Sequence, residues 1–320
     1  MKTIKKTVLQ LAVTAGGVLF GAIAAGQVYP DRPVNLVVPY APGVTDLEAR
    51  KLADGLSKEL GQPFIVQNKA GAGGAIGAQF VASAKPDGYT LLYAAPAVVT
   101  ISPLTGSAPY KFEDLLPIAR TTTSPHVLAA RVNAPYKNGK DLIDYAKKNP
   151  GKIVFGSSGA GTAVHLAGEA FAASAGIEML HVPYKGLAPA ITDVLGVSAD
   201  FVIGLPVAIK PQVDGGKLNA IAQFGAERNP SMPNVPTLKE LGVNLSLSVD
   251  LGIFAPVDTP KEIIAKINAA VQKVLASPEY REFAIPRMIT PAFLPAADYL
   301  VIVQNERDLY KKIVPTLKLN

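Results

Sequence analysis

The 320-residue sequence has no cysteine, no tryptophan and only three histidines. Without cysteine there is no disulfide framework, no thiolate metal site and no cysteine nucleophile. His126, His165 and His181 are dispersed and lack paired carboxylates at ligand spacing, so no metal site is expected. Dense basic patches are missing too. Lys2, Lys5 and Lys6 supply three of the 31 Lys and Arg; beyond them the balance against 25 acidic residues is +3. The other lysines are scattered and not interleaved with aromatics, which argues against a nucleic-acid partner. No stretch after residue 25 approaches the roughly 20 apolar residues that span a bilayer.

What is present begins at the N-terminus. The three lysines precede an apolar run from Val8 to Ala25 that closes on small residues, Ala22 to Gly26. The run contains Gln10 and three glycines and is followed by a polar Tyr-Pro-Asp segment, which favours an export signal over a membrane anchor. Residues 1–26 are therefore expected to be a signal peptide cleaved near residues 24–27. Hydrophobic residues make up 49% of the chain, enough for a sizeable core, and the length suggests about two domains.

The stretch Pro39–Arg50 organises the first of these. Val34 to Val38 reads as a buried strand, Leu52, Ala53, Leu56 and Leu60 recur at helical spacing, and Gly61 follows as a helix stop. Between them Pro42 and Gly43 break both patterns, and Thr45 or Asp46 is expected to cap the helix. Such a loop presents unpaired N–H groups at a positive dipole end, a site for an anion. Asp46 has two readings, a first-turn acid stabilising the helix dipole or a group meeting a ligand donor.

Short apolar runs then alternate with helical patterns, the signature of α/β units. Phe64 to Val66 is a strand, and the turn from Asn68 to Gly74 opens a helix with Ile76, Phe80 and Val81 on one face. Ile76 stands where a dinucleotide fingerprint needs a small residue, so these glycines are read as a turn of positive φ. Tyr89 to Ala94 is a strand, and Ala94 to Thr100 leaves it and could line a cleft. Ile153 to Phe155 runs into Gly156-Ser-Ser-Gly-Ala-Gly-Thr162 and a helix closed by Gly176. This repeats the strand, loop and helix-start logic about 115 residues after the first loop, so two α/β units are expected to face one ligand. Extended stretches near 120–132 and 245–255 read as two crossings between two lobes. Thr259, Pro260 and Glu262 form a capping-box pattern for a helix from Lys261, with Ile263, Ile267, Ala270, Val271 and Val274 as its buried stripe.

Ser158 with His165 and His181 invites a hydrolase reading. A nucleophile elbow needs glycine two residues either side of the serine, and Ala160 occupies the second position, so catalysis is not the expected role. His165, in a first helical turn, reads as a cap-region residue more readily than as a ligand contact. Neither loop contains arginine; backbone N–H groups and the hydroxyls of Thr45, Ser157, Ser158 and Thr162 would hold a carboxylate, with ordered water.

Several segments together resemble one family. Tyr29-Pro-Asp-Arg-Pro-Val, Val37-Val-Pro-Tyr-Ala-Pro-Gly, Asn68-Lys-Ala-Gly-Ala-Gly-Gly and Pro86-Asp-Gly-Tyr-Thr-Leu-Leu are similar to its first half. Gly156-Ser-Ser-Gly-x-Gly-Thr, His165-Leu-Ala-Gly-Glu and His181-Val-Pro-Tyr-Lys-Gly are similar to its second. From Tyr29 onward the chain resembles the Bug or TctC extracytoplasmic solute receptors of tripartite tricarboxylate transporters. The resemblance implies an α/β fold of the periplasmic binding protein type II class, two α/β lobes joined by crossover strands with a ligand cleft between them. Lobe 1 would comprise residues 27–127 and 251–320, lobe 2 residues 128–250. It implies a monomeric, non-catalytic periplasmic receptor without cofactor. Its partners would be a small organic acid and integral-membrane transporter subunits; a signalling partner in place of transport is the alternative.

Carried onto this chain, the ligand residues would be Tyr40, Gly43, Val44, Thr45 and Asp46 on the first loop and Ala95, Pro96 and Ala97 beside it. Ser157, Ser158, Thr162, Ala163 and His165 would complete them on the second. The first loop is one residue shorter than the family pattern and has Val44 where a second glycine is usual. Gly204-Leu205-Pro206 lacks an acid often found near the pocket, which disfavours an amino-acid ligand, and Asp250-Leu251 replaces a usual aromatic.

Overall fold

The computed structural model describes residues 29–106 and 108–316; the expected signal peptide lies outside the described residues. The chain runs β1 (Val34–Val38), α1 (Val44–Leu60), β2 (Phe64–Asn68), α2 (Ala75–Ala82), β3 (Thr90–Ala94), α3 (Ala97–Thr100) and β4 (Leu115–Pro125). There follow β5 (Val127–Arg131), α4 (Gly139–Lys148), β6 (Ile153–Ser157), α5 (Ala163–Ala175), β7 (Met179–Pro183), α6 (Leu187–Leu195), β8 (Phe201–Gly204), α7 (Pro206–Asp214) and β9 (Leu218–Gln223). A long connection leads to β10 (Ser248–Pro256), α8 (Lys261–Ala276), α9 (Pro278–Ala284), β11 (Thr290–Pro295) and α10 (Ala296–Ile313).

Two mixed sheets result, ordered β11-β4-β10-β3-β1-β2 and β7-β6-β8-β5-β9. In the first, β1 is parallel to β2 and β3, and β10 runs antiparallel to β3 and β4. In the second, β6 is parallel to β7 and β8, and β5 is antiparallel to β8 and β9. Register places the crossings. Gly252 pairs with Ala94 at the end of β3, so Ser248 to Asp250, paired with Pro125 to Thr123, extend beyond it. Val127 pairs with Gly204 at the end of β8. Both passages between sheets thus lie at the carboxyl ends of the parallel strands, where α1 and α5 also begin. That is the side on which open α/β sheets bind ligands.

Helices cover the sheets through small-residue contacts. A Cβ on Gly55 of α1 would lie 2.5 Å from Val274 of α8, so the glycine permits these two helices to touch. Leu52 and Leu56 share a buried cluster with Ile267, Val271 and Val274. A separate cluster joins Leu128, Phe155, Leu166, Phe171 and Phe201 of the second sheet with Ile101, Tyr310 and Ile313. Meanwhile Tyr299 and Val303, earlier on α10, pack on the first sheet with Val37, Val98 and Phe254. Helix α10 therefore bridges the two sheets, a third link that periodicity did not reveal.

Several local expectations are corrected. Gly43, not Thr45 or Asp46, is the N-cap of α1, and no side chain caps that helix. Ala97–Thr100, to which the sequence pattern assigns no element, is a short helix. On α2 the buried residues are Ala75, Gly77, Ala78 and Val81, while Ile76 and Phe80 are exposed. The reason is proximity: a Cβ on Gly77 would lie 2.8 Å from the Cα of Pro39, so only the small-residue face reaches the sheet. Pro260 is the N-cap of α8, with no side-chain cap, because the Thr259 hydroxyl donates backward to the Pro256 carbonyl at 2.7 Å. Ile264 and Leu275 join the α8 stripe and Ile263 lies at its edge. Gly71, Gly73 and Gly74 take positive φ, as the turn reading requires.

Candidate ligand-binding site

The first loop begins where Val38 ends β1. Asn68, at the end of the neighbouring β2, donates its amide to the Tyr40 carbonyl at 3.1 Å. Arg50, one turn into α1, reaches the Asn68 side-chain oxygen at 3.3 Å and holds both carboxylate oxygens of Asp46 at 2.9 and 3.0 Å. Asp46 is buried, and the Arg50 guanidinium holds its carboxyl below the usual carboxylate range. Its carboxylate thus braces the loop. The N–H of Leu47 makes the first helical bond, to Gly43 at 3.0 Å, and the start of α1 before it has no side-chain cap. Val44, Thr45 and Asp46 therefore form a first turn whose N–H groups lie at the positive end of a 17-residue helix.

Beside it Tyr40 and Val98 both approach Gly74: a Cβ there would lie 3.4 Å from the Tyr40 ring and 3.0 Å from Val98, so that glycine lets the two segments converge. Burial pushes the Tyr40 hydroxyl up to about 12, partly offset by a hydrogen bond with the Ala95 backbone. Ala95 and Ala97 are half-buried and Pro96 buried; the Pro96 carbonyl accepts from the N–H groups of Val99 and Thr100. The structure brings Tyr40, the α1 start and Ala95–Ala97 together at one end of the first sheet.

The second loop is built differently. Ser157 is fully buried, and its Oγ accepts from the Gly159 N–H at 3.1 Å and lies 2.7 Å from His181 Nε2. Thr162 caps α5: its Oγ donates to the Gly159 carbonyl at 2.8 Å and accepts from the His165 N–H at 3.3 Å. Ser158 donates to Thr162, and the Gly161 N–H donates to His165 Nδ1 at 3.0 Å. That bond requires a lone pair on Nδ1, which places the His165 proton on Nε2, 3.5 Å from Glu169. The imidazoles of His165 and His181 stack with centroids 3.7 Å apart. Burial, then the neighbouring His165, push the His181 pKa down to about 4. The hydroxyls read from sequence as ligand groups therefore shape the loop itself. Sequence reasoning missed Asn68 as a support of the first loop and His181 as a support of the second; their long-range bonds leave no local pattern.

Ala97 and Ala163, from opposite sheets, pack against the same hydrophobic cluster. A cavity of about 540 Å³ lies elsewhere, bounded by Arg120, Thr123, Asn229, Ser248, Asp250 and Glu306. It sits on the β11 side of the crossing strands, away from β1 and β3, and none of the thirteen candidate residues borders it. Among the described residues there is no group of three or more His, Cys, Asp or Glu able to hold a metal ion.

Residues 48–319 match the tripartite tricarboxylate transporter family receptor, TctC. The chain belongs to that family. It is 36% identical to Protein BugT of Bordetella pertussis over 292 residues, 89% of this chain and 88% of that protein. The crystal structure of a TctC solute-binding protein from Polaromonas, without ligand, superposes with a TM-score of 0.84 at 30% identity, covering 90% of this chain and all of the other. The R. palustris protein Rpa4515 with adipate superposes with a TM-score of 0.70 at 30% identity, covering 90% and 98%. The fold is that of the TctC and Bug periplasmic binding proteins, and the family is one of solute-binding receptors.

Proposed function

We propose that the protein is a periplasmic receptor that captures a small organic carboxylate between its two lobes and hands it to the membrane subunits of a tripartite transporter, without chemical conversion. The observation that carries this reading is the uncapped start of α1 at the carboxyl end of β1. First-turn N–H groups at a helix dipole suit a carboxylate and release it more readily than an ion pair would. Support comes from the second strand-loop-helix unit at the carboxyl end of β6 and from the similar R. palustris protein, which holds adipate. Among the described residues no helix is long and apolar enough to cross a membrane.

The lobes are taken as residues 27–127 with 251–320, and 128–250, a division supported by β5 beginning at Val127 and β10 at Ser248. A monomer suffices for such a site. A hydrolytic role is disfavoured by the serines: Ser158 bonds Thr162 rather than a base, and Ser157, which meets His181, is sealed from solvent.

A thermal-shift screen of the mature protein against mono-, di- and tricarboxylates tests the reading. A ligand at 100 times its dissociation constant stabilises by about 2.7 kcal/mol. A shift with sugars or cations and none with any carboxylate would overturn it.

A further inference from the structure

The two loops differ in what they leave available to a ligand. At the start of α1 the donors are uncapped. In the second loop the N–H groups of Gly159, Gly161, Thr162 and His165 are all bonded within the loop and its first helical turn. With those four N–H groups engaged, a side-chain cation on that side would strengthen the hold on a second negative group. The cations near the first loop are engaged: Arg50 with Asp46 and Asn68, and Lys69 over the Phe80 ring at 4.1 Å.

Lys185 is different. It is exposed and makes no ion pair among the described residues. Its chain neighbours clamp it beside the second loop: the Tyr184 N–H donates to the Ser157 carbonyl at 3.1 Å, and the Gly186 N–H to the Ser158 carbonyl at 3.3 Å. Tyr184 turns toward α6, where its hydroxyl donates to Asp193 at 2.8 Å, while His181 turns toward α5 and stacks on His165. β7 ends at Pro183 and the chain bends at Lys185, so the two bonds to Ser157 and Ser158 hold this residue at the edge of the second loop. A four-carbon stem then carries a compact, mobile charge over the rim of the loop.

We propose that Lys185 determines specificity by binding the second carboxylate of a dicarboxylate whose first carboxylate sits at the start of α1. This rests on the receptor reading above. A monocarboxylate of equal chain length would fill the first position and leave Lys185 in water, so the residue selects for two charges at a fixed separation.

Calorimetry with matched acids tests it, using adipate against hexanoate and succinate against butyrate, on wild type, Lys185→Gln and Lys185→Arg. The wild type should prefer one diacid over its monoacid partner. Lys185→Gln should weaken that diacid by about tenfold while changing the monoacid by less than about twofold, and Lys185→Arg should restore most of the preference. The melting temperature of both variants should equal that of the wild type, since the residue is exposed. A Lys185→Gln variant that keeps the diacid preference, or weakens both acids equally, overturns the role of Lys185 and leaves the receptor reading standing. A wild type that binds monoacids as well as diacids does the same. A wild type that binds no carboxylate at all removes the receptor reading, and this inference with it.

Discussion

His181 lies face to face with His165, the ring planes 14° from parallel and the centroids 3.7 Å apart. Through Ser157 on one side and Gly161 on the other, this stack holds both ends of the second loop. The loop's shape therefore depends on two neutral imidazoles packed against Phe155.

Acid should loosen the protein on this account. Burial pushes His126 down to about 4, and His181 is held equally low. A histidine whose folded pKa lies below its unfolded value of about 6.5 contributes stability above that value and loses it as pH falls toward the folded pKa. In urea unfolding His126 should contribute about 3 kcal/mol of stability that is lost between pH 6.5 and 4, against the opposite slope of the buried acids Glu48 and Glu306. In His126→Leu that share of the slope should vanish; an unaltered slope contradicts it.

Alkali should loosen it by another route. Burial raises Glu48 to about 7 and Glu306 to about 8, each with one threonine hydroxyl donating to it, from Thr122 at 3.0 Å and Thr100 at 2.8 Å. An acid whose folded pKa is raised contributes stability that is present at low pH and lost as pH rises through the folded value. Their contribution to stability should therefore fall between pH 4.5 and 8. Glu306→Gln, which keeps an acceptor for Thr100 and cannot ionise, should flatten that drop in urea titrations.

Thr162 is the side chain on which the second loop turns, accepting from His165 and donating to Gly159. Thr162→Ala should cost about 1 kcal/mol of stability, as for other lost caps. It should also weaken carboxylate binding, whereas His126→Ala, whose ring packs on Phe224, should destabilise without changing ligand affinity at a temperature where it is folded. Equal effects of the two on affinity by calorimetry would contradict this.

Gly77 is where α2 meets the first loop. An added Cβ would lie 2.8 Å from the Pro39 Cα and 2.9 Å from the Lys69 carbonyl, both backbone atoms that cannot swing aside. Gly77→Ala should destabilise by about 1–3 kcal/mol, the usual range for overpacking. A stability equal to wild type in denaturant melts would show that α2 can shift freely.

Strand-loop-helix units, glycine stops at Gly61 and Gly176 and the final helix from Ala296 were legible because hydrophobic period and turn chemistry are local. Helix α7 was not read, since Pro211 stands inside it, nor α9 and β11, whose apolar residues are too few to show a period. The faces of α2 misled for a different reason: a side chain's size decides burial only after neighbours fix the distance, and Pro39 lies too close for Ile76 or Phe80. At the site, the loop positions followed from sequence, but the roles did not. Whether a hydroxyl such as that of Ser157 serves a ligand or its own loop depends on His181, 24 residues away.

The central claim, that a carboxylate is held between the α1 start and the second loop, is tested most directly by amide hydrogen exchange with and without the acid that gives the largest thermal shift. The account predicts slowed exchange at Val44, Thr45 and Asp46 together with residues 158–163, and little change around Arg120, Asn229 and Glu306. Protection confined to those last residues, which border the 540 Å³ cavity on the other side of the crossing strands, would contradict it.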